Sequence, residues 1–216
     1  MRQLSASDLS RLAADATTLE QDGLGPKVLR LQDGSFLKLF RKRRYFSSET
    51  LKPYARRFAD NAATLQRLGF TCPQIIGVYR VDDPVNGTAV HYLPLPGDTL
   101  RSRLEQAAPE LAKQLIGKFG HLLARLHRKG VYFRSIHLGN VLVLPNAELA
   151  LIDIADMHIG RFPLSLHKRL RNLKHMRRYP QDSNWLFEQY QEELLKAYQA
   201  EEPRHAEALL ARAQQP

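Results

Sequence analysis

The segment Leu93-Pro94-Leu95-Pro96-Gly97-Asp98 constrains this chain more than any other. Proline cannot continue a helix or donate to a sheet ladder, so the backbone must break its pattern here. Before the break the residues alternate as strands do. Val28 to Phe40 reads as a β-hairpin turning at Asp33-Gly34, a pair suited to a two-residue turn at positive φ. On its second strand Phe36, Lys38 and Phe40 share one face and Leu37 and Leu39 the other, which leaves Lys38 as a lone charge between aromatics. A helix is expected over 48–68, with Ser47 and Ser48 as N-caps, Glu49 at its positive end and Pro53 in its first turn. Leu51, Tyr54, Ala55, Phe58, Ala62, Leu65 and Leu68 form its apolar face, and Gly69 closes it. Strands follow at Gln74 to Val81 and Thr88 to Leu93, around Asn86-Gly87.

After the break the period becomes helical. Leu111, Leu115, Phe119, Leu122 and Leu126 mark a helix ending at Gly130. A small hairpin pairs Val141 to Leu144 with Leu149 to Ile154, and helices fill the rest from Leu164, with Trp185, Tyr190, Leu194 and Tyr198 at core spacing. The expected class is α+β, with a strand-rich part over 1–92 and a mainly helical part over 93–216.

The 216 residues are 44% hydrophobic, which disfavours a disordered chain. Neither an apolar run long enough to span a bilayer nor a signal-peptide pattern is seen. The single cysteine, Cys72, cannot pair within the chain and reads as a small buried residue. A cytoplasmic location is the default expectation. A net charge of +10 favours anionic partners. Arg41, Lys42, Arg43 and Arg44 make one basic cluster. Residues 167–178 make another; as a helix they align Lys168, Arg171, Lys174, His175 and Arg178 opposite Leu166, Leu170 and Leu173. That face suits a phosphorylated sugar or an acidic membrane surface, or is a plain solvated face. Nucleic acid is disfavoured, because no aromatic platform accompanies the charge.

Residues 123–156 carry the chemistry. A helix ends at Gly130, and a loop delivers Arg134, Ser135, His137 and Asn140. A short strand then leaves and returns to Asp153. An amide oxygen and a carboxylate at neighbouring ends of a hairpin can hold Mg²⁺, which takes oxygen ligands and keeps waters. The plainer alternatives are that Asn140 caps its loop, Asp153 serves a turn, Lys38 snorkels from its strand and His137 orders the loop by hydrogen bonding. His127, at a helix end, is read as structural and favourable to the dipole.

The run Phe133-Arg134-Ser135-Ile136-His137-Leu138-Gly139-Asn140, followed by Ile152-Asp153-Ile154-Ala155-Asp156 and preceded by Leu123-Ala124-Arg125-Leu126-His127, resembles the catalytic and metal-binding loops of the protein-kinase superfamily. It is most similar to the branch of aminoglycoside phosphotransferases and bacterial lipopolysaccharide-core kinases, where a loop H-G-D-x-H-x-G-N precedes an I-D-F/W-G/x-D segment. The whole chain also resembles toluene-tolerance or lipopolysaccharide-kinase-like proteobacterial proteins. A second, looser resemblance is to the small atypical kinase of the tRNA-threonylcarbamoyl complex.

The resemblance implies a two-lobed kinase-like fold, ATP and Mg²⁺. It places Asn140 and Asp153 on the metal and Lys38 on the α- and β-phosphates. Residues 90–97, including Tyr92, become the hinge at adenine, and Gly23 and Gly25 open a phosphate-covering loop. The acceptor it implies is a hydroxyl of a lipopolysaccharide-core sugar, on an anionic glycolipid at the inner face of the cytoplasmic membrane; a protein partner could complete the site.

Three departures stand out. Ser135 occupies the position of the catalytic aspartate, leaving His137 and Asp156 as substitutes for the base. The helix glutamate that would pair with Lys38 is absent; Asp60 is the nearest acid, and Asn61 stands at the site itself. Val28 replaces the last glycine of the phosphate loop, and Pro26 removes a backbone donor. The expectations are therefore an ATP-dependent phosphotransferase, a pseudokinase that binds nucleotide without transfer, or a basic adaptor without a nucleotide site.

Overall fold

A computed structural model describes residues 1–41, 52–82 and 85–213. The fold is α+β, sheet-rich in its N-terminal region and helical in its C-terminal part. Two compact units are present: residues 1–95 with 153–155, and residues 96–152 with 156–216. Among the described residues no helix is long and apolar enough to cross a membrane.

The sheet-rich unit holds β1 (Arg2–Leu4), β2 (Thr17–Asp22), β3 (Gly25–Arg30), β4 (Phe36–Arg41), β5 (Gln74–Val81) and β6 (Gly87–Leu93) in one sheet, ordered β1-β5-β6-β4-β3-β2. Neighbours are antiparallel except β1, which lies parallel to β5 with Arg2 opposite Tyr79. Alternation on β4 sends Leu37 and Leu39 into an apolar cluster with Leu4, Leu29, Leu31, Val81 and Ala89, against which Leu9 of α1 (Ala6–Leu12) packs. The β3–β4 connection is longer than the expected two-residue turn: Leu31 N bonds Ser35 O at 2.8 Å, and only Gly34 takes positive φ, at 81°. Asp33 supports the bend through Oδ1, which accepts from Ser35 N at 2.9 Å.

The helix after the hairpin, α2 (Tyr54–Arg67), buries Ala55, Phe58, Ala62 and Leu65. Its N-cap is Pro53, at φ −57 and ψ 148, so the described helix starts past the proline rather than around it. The expected caps Ser47, Ser48 and Glu49, together with Leu51 and the basic residues Lys42, Arg43 and Arg44, lie outside the described residues. Cys72 is buried, with its Sγ 3.5 Å from Ala62 O, and burial pushes its thiol up to about 11.

In the helical unit, α3 (Leu100–Glu105) follows the short β7 (Asp98–Thr99), and the Thr99 hydroxyl caps it by accepting from Ser102 N at 3.1 Å. The long α4 (Pro109–Arg128) buries Leu115, Phe119, Leu122 and Leu126, but leaves Leu111 exposed. Gly120 lets α7 (Gln191–Glu201) approach: a Cβ there would lie 2.5 Å from Leu194 O. β9 (Val141–Val143) and β10 (Leu149–Leu151) form the small hairpin, and β8 (Val131–Phe133) pairs with β11 (Met157–Ile159). Then come α5 (Leu166–Met176), α6 (Pro180–Asn184), a π-helical turn (Trp185–Gln189), α7 and α8 (Pro203–Ala213). Leu194 and Tyr198 are core residues, whereas Trp185 and Tyr190 are only half-buried.

Candidate active site

Lys38 is the one charged residue on the β4 face that carries Phe36 and Phe40, directly opposite Val28 on β3 and Val90 on β6. An ammonium in such a row is costly unless it is paired. Its Nζ donates to Asp153 Oδ1 at 2.7 Å, 115 positions away in sequence, and sits 5.9 Å from the Phe40 ring centroid. The pair is asymmetric: the lysine side chain is 9% exposed and the aspartate 46%. Lys38 is thus held in the apolar row and does not snorkel to water.

Asp153 takes φ 51, a left-handed conformation unusual for any residue but glycine and tolerated best by Asp and Asn. Such backbone persists where surrounding contacts over-determine it, and it clusters at functional positions. One of those contacts is Asn61 of α2, whose Nδ2 donates to Ile154 O at 2.8 Å.

Asp60 does not reach Lys38. It bonds Lys52 at 2.9 Å and Arg56 at 3.0 Å. Partial burial works against its ionisation, but these two cations outweigh that and hold its carboxyl below the usual range. The helical period explains the miss: Asn61, one position on, faces residues 153–155 in its place. Tyr92 is a buried residue of β6. Its ring packs 5.3 Å from Phe58 and 5.8 Å from Phe36, and burial, aided by Asp153 and Glu20, pushes its phenol upward. Gly23 and Gly25 flank the exposed Leu24 at the β2–β3 turn; Gly25 takes φ 110. Arg41 secures this tip, donating to Pro26 O at 2.7 Å and lying 3.7 Å from Asp22 Oδ1.

The loop between β8 and β9 lies in the helical unit. Asn140 ends a 3-10 turn (Leu138–Asn140) and its Nδ2 donates to Ser135 O at 3.0 Å. That bond commits the amide nitrogen and leaves Oδ1 without a hydrogen-bond donor among the described residues. Asn140 O accepts from Ile152 N at 3.0 Å, one residue before Asp153. His137 N-caps the turn: its Nδ1 accepts from Gly139 N at 3.0 Å, and its ring lies 4.4 Å from Tyr179. Ser135 is half-buried, and Asp156 lies 3.4 Å from Arg134.

Sequence reasoning missed the carboxylate beneath this loop. Asp182 of α6 is fully buried, accepts from Leu138 N at 2.8 Å, and takes two bonds from Arg101, at 2.8 and 3.0 Å. Arg101 also stacks 5.0 Å above Tyr179, and its hydrogen bonds to Asp182 strengthen its hold on its proton. In the sequence Asp182 reads as an ordinary first-turn acid after Pro180.

A second missed group is a directed chain of hydrogen bonds under β8. Arg169, wholly buried, donates to Tyr198 Oη at 2.7 Å, and Tyr198 donates to His127 Nδ1 at 2.8 Å. His127 Nε2 donates to Asn172 Oδ1 at 3.1 Å, and Asn172 donates to Phe133 O at 2.8 Å, two residues before Ser135. Burial, reinforced by the Arg169 charge, pushes the His127 imidazole down to about 3. The histidine is structural, but it is neutral and does not act on the helix dipole. The basic α5 face is likewise narrower than its sequence implied, because His175 is half-buried beside Tyr179 and Arg178 lies past the helix end; the buried side is Arg169, Asn172, Leu173 and Met176, whereas Leu166 and Leu170 are only half-buried.

Among the described residues no three His, Cys, Asp or Glu side chains cluster as metal ligands. Mg²⁺ binds through one or two protein oxygens plus phosphate and water oxygens, so a single half-exposed carboxylate such as Asp153 is compatible with it. Compared with known proteins, the chain matches no family model and no curated relative.

Proposed function

We propose that this chain is an ATP- and Mg²⁺-dependent phosphotransferase of the two-lobed, protein-kinase-like kind. The observation that carries the reading is the Lys38–Asp153 pair: a lysine buried on a sheet face, matched at 2.7 Å by a half-exposed, left-handed aspartate from 115 positions on. Structural stability alone gives no reason to keep a charge in an apolar row. A phosphate-binding lysine explains it, since the same ammonium can donate to phosphate oxygens.

In this reading Lys38 orients the α- and β-phosphates, and Asp153 would supply a carboxylate oxygen to the metal, with Asn140 the further ligand that the resemblance of the loop motif implies. Magnesium, when bound, neutralises charge that develops on the transferred group. His137, committed through Nδ1 to Gly139 N, orders the loop. Asp156, which lies 3.4 Å from Arg134, would accept the acceptor hydroxyl's proton in this reading, since Ser135 cannot at neutral pH. The acceptor class, a hydroxyl of a phosphorylated core sugar, rests on the resemblance of the loop motif. The test is turnover of ATP by purified protein with extracted envelope glycolipid. Asp153→Ala and Lys38→Met should each lower the rate roughly 10²–10³-fold. Rates equal to wild type in both would remove the pair from the mechanism.

A second reading is favoured by Ser135 and by the diversion of Asp60 to Lys52 and Arg56, so that among the described residues of the helix no carboxylate pairs with Lys38. It is a nucleotide-binding module that transfers nothing. Thermal stabilisation by Mg-ATP without phosphate transfer to any envelope fraction supports this reading over the enzyme. A basic adaptor without a nucleotide site predicts no response to ATP at all.

A further inference from the structure

Phe162 is 79% exposed, the most exposed large apolar side chain among the described residues. Its loop is not loose. Gly160 N bonds Gly130 O at 3.0 Å, Leu164 N bonds His127 O at 2.8 Å, and Leu164 is buried. Gly130, at φ 74, has no Cβ to interfere; one placed there would lie 2.5 Å from Phe162 O and 2.7 Å from Gly160 O. The backbone is therefore pinned on both sides, with the ring directed to solvent.

The ring is flanked by cations. Arg161 precedes it, and α5 begins four residues on, with Lys168, Arg171 and Lys174 exposed. At 100° per residue, Arg171 and Lys174 form one basic stripe, with the polar His167 in line, opposite the buried Arg169, Asn172, Leu173 and Met176. No Asp or Glu occurs between Asp156 and Asp182, so no local acid neutralises this stripe in sequence.

We infer that this face docks on an anionic lipid bilayer, with Phe162 inserted at the headgroup boundary and the α5 cations on lipid phosphates. A ring held outside the core combined with a basic stripe that has no acid within its own stretch of sequence is complementary to a surface that is apolar beneath and negative above. A nucleic-acid surface fits less well, because single-strand binding uses successive aromatic faces and this tip carries one ring beside Pro163. The inference is independent of the phosphotransferase reading, since every residue in it lies in the helical unit and none is in the nucleotide-site argument.

The test is sedimentation of the full chain with phosphatidylcholine vesicles, with and without phosphatidylglycerol, at low and high salt. Binding should require phosphatidylglycerol and weaken with salt. Phe162→Ala should lower the partition coefficient roughly tenfold, as expected for withdrawing one aromatic ring from an apolar phase. Arg171→Glu with Lys174→Glu should lower it by about tenfold or more. Leu111→Ala, an exposed apolar change beside Glu110, should leave it unchanged. The inference is overturned by no binding, by equal binding to neutral vesicles, or by a Phe162→Ala protein that binds as wild type. Tighter, Phe162-dependent binding to an oligonucleotide would also overturn it, in favour of nucleic acid.

Discussion

The asymmetry of the Lys38–Asp153 pair predicts an asymmetric response to mutation. At 2.7 Å and an effective dielectric of 20, the gross attraction is about 6 kcal/mol. The aspartate is 46% exposed, so water screens a large part of this; about 1–3 kcal/mol of coupling should remain. Asp153→Asn leaves the buried ammonium with no counter-charge and should destabilise by that amount. Lys38→Met leaves only a half-exposed carboxylate, which water can solvate, and fills the row beside Val28 and Val90 with a side chain of similar length. Its effect should lie within ~1 kcal/mol of zero, of either sign. The double variant should then resemble Lys38→Met alone. Urea unfolding of the four proteins, followed by signals from both units because a two-unit chain need not unfold in one step, closes the cycle. A coupling below about 0.3 kcal/mol, with Asp153→Asn and Lys38→Met equally costly, would mean that the pair does not form in solution.

Other consequences follow from the helical unit. The folded chain keeps His127 neutral down to about pH 3, whereas the unfolded chain protonates it near 6.5, so its contribution to stability is complete above about pH 6.5 and is lost as the pH falls towards 3. Urea midpoints at pH 7.5 and 4.5 should show this loss, and His127→Asn should remove part of the difference. Asp182→Asn should cost about 3–5 kcal/mol by leaving the Arg101 charge poorly paired, and should speed amide exchange at Leu138. Gly130→Ala should cost roughly 1–3 kcal/mol, read as a lower melting temperature, because it meets both a left-handed backbone and the Phe162 carbonyl.

The sequence made some of this legible for identifiable reasons. Period-two alternation placed Lys38 between Phe36 and Phe40 with Leu37 and Leu39 behind it, and Gly69 and Gly130 marked helix ends because both need positive φ. β2 escaped notice because it is exposed over nearly its whole length and bulges twice in its pairing with β3, which erases alternation. β1 is only three residues long. Arg169 lies in a run of cations in which charge alone cannot say which one turns inward; its register with Leu173 and Met176 was the available signal. Asp182 gave none, since its partners Arg101 and Leu138 are distant in sequence. Asp153 was singled out by motif, but its left-handed backbone and its hold on Lys38 are products of tertiary structure.

The assignment of residues 153–155 to the sheet-rich unit has a consequence for how the chain matures. The six strands are complete by Leu95, yet the counter-charge for Lys38 and the carbonyl that receives Asn61 arrive only with Asp153 and Ile154. At ribosomal speeds of about 5–20 residues per second, the nascent sheet waits several seconds for them. Until then it must either shelter an uncompensated ammonium or leave that corner unfastened, so a truncation ending at Leu95 should be less stable than the same unit in the finished chain.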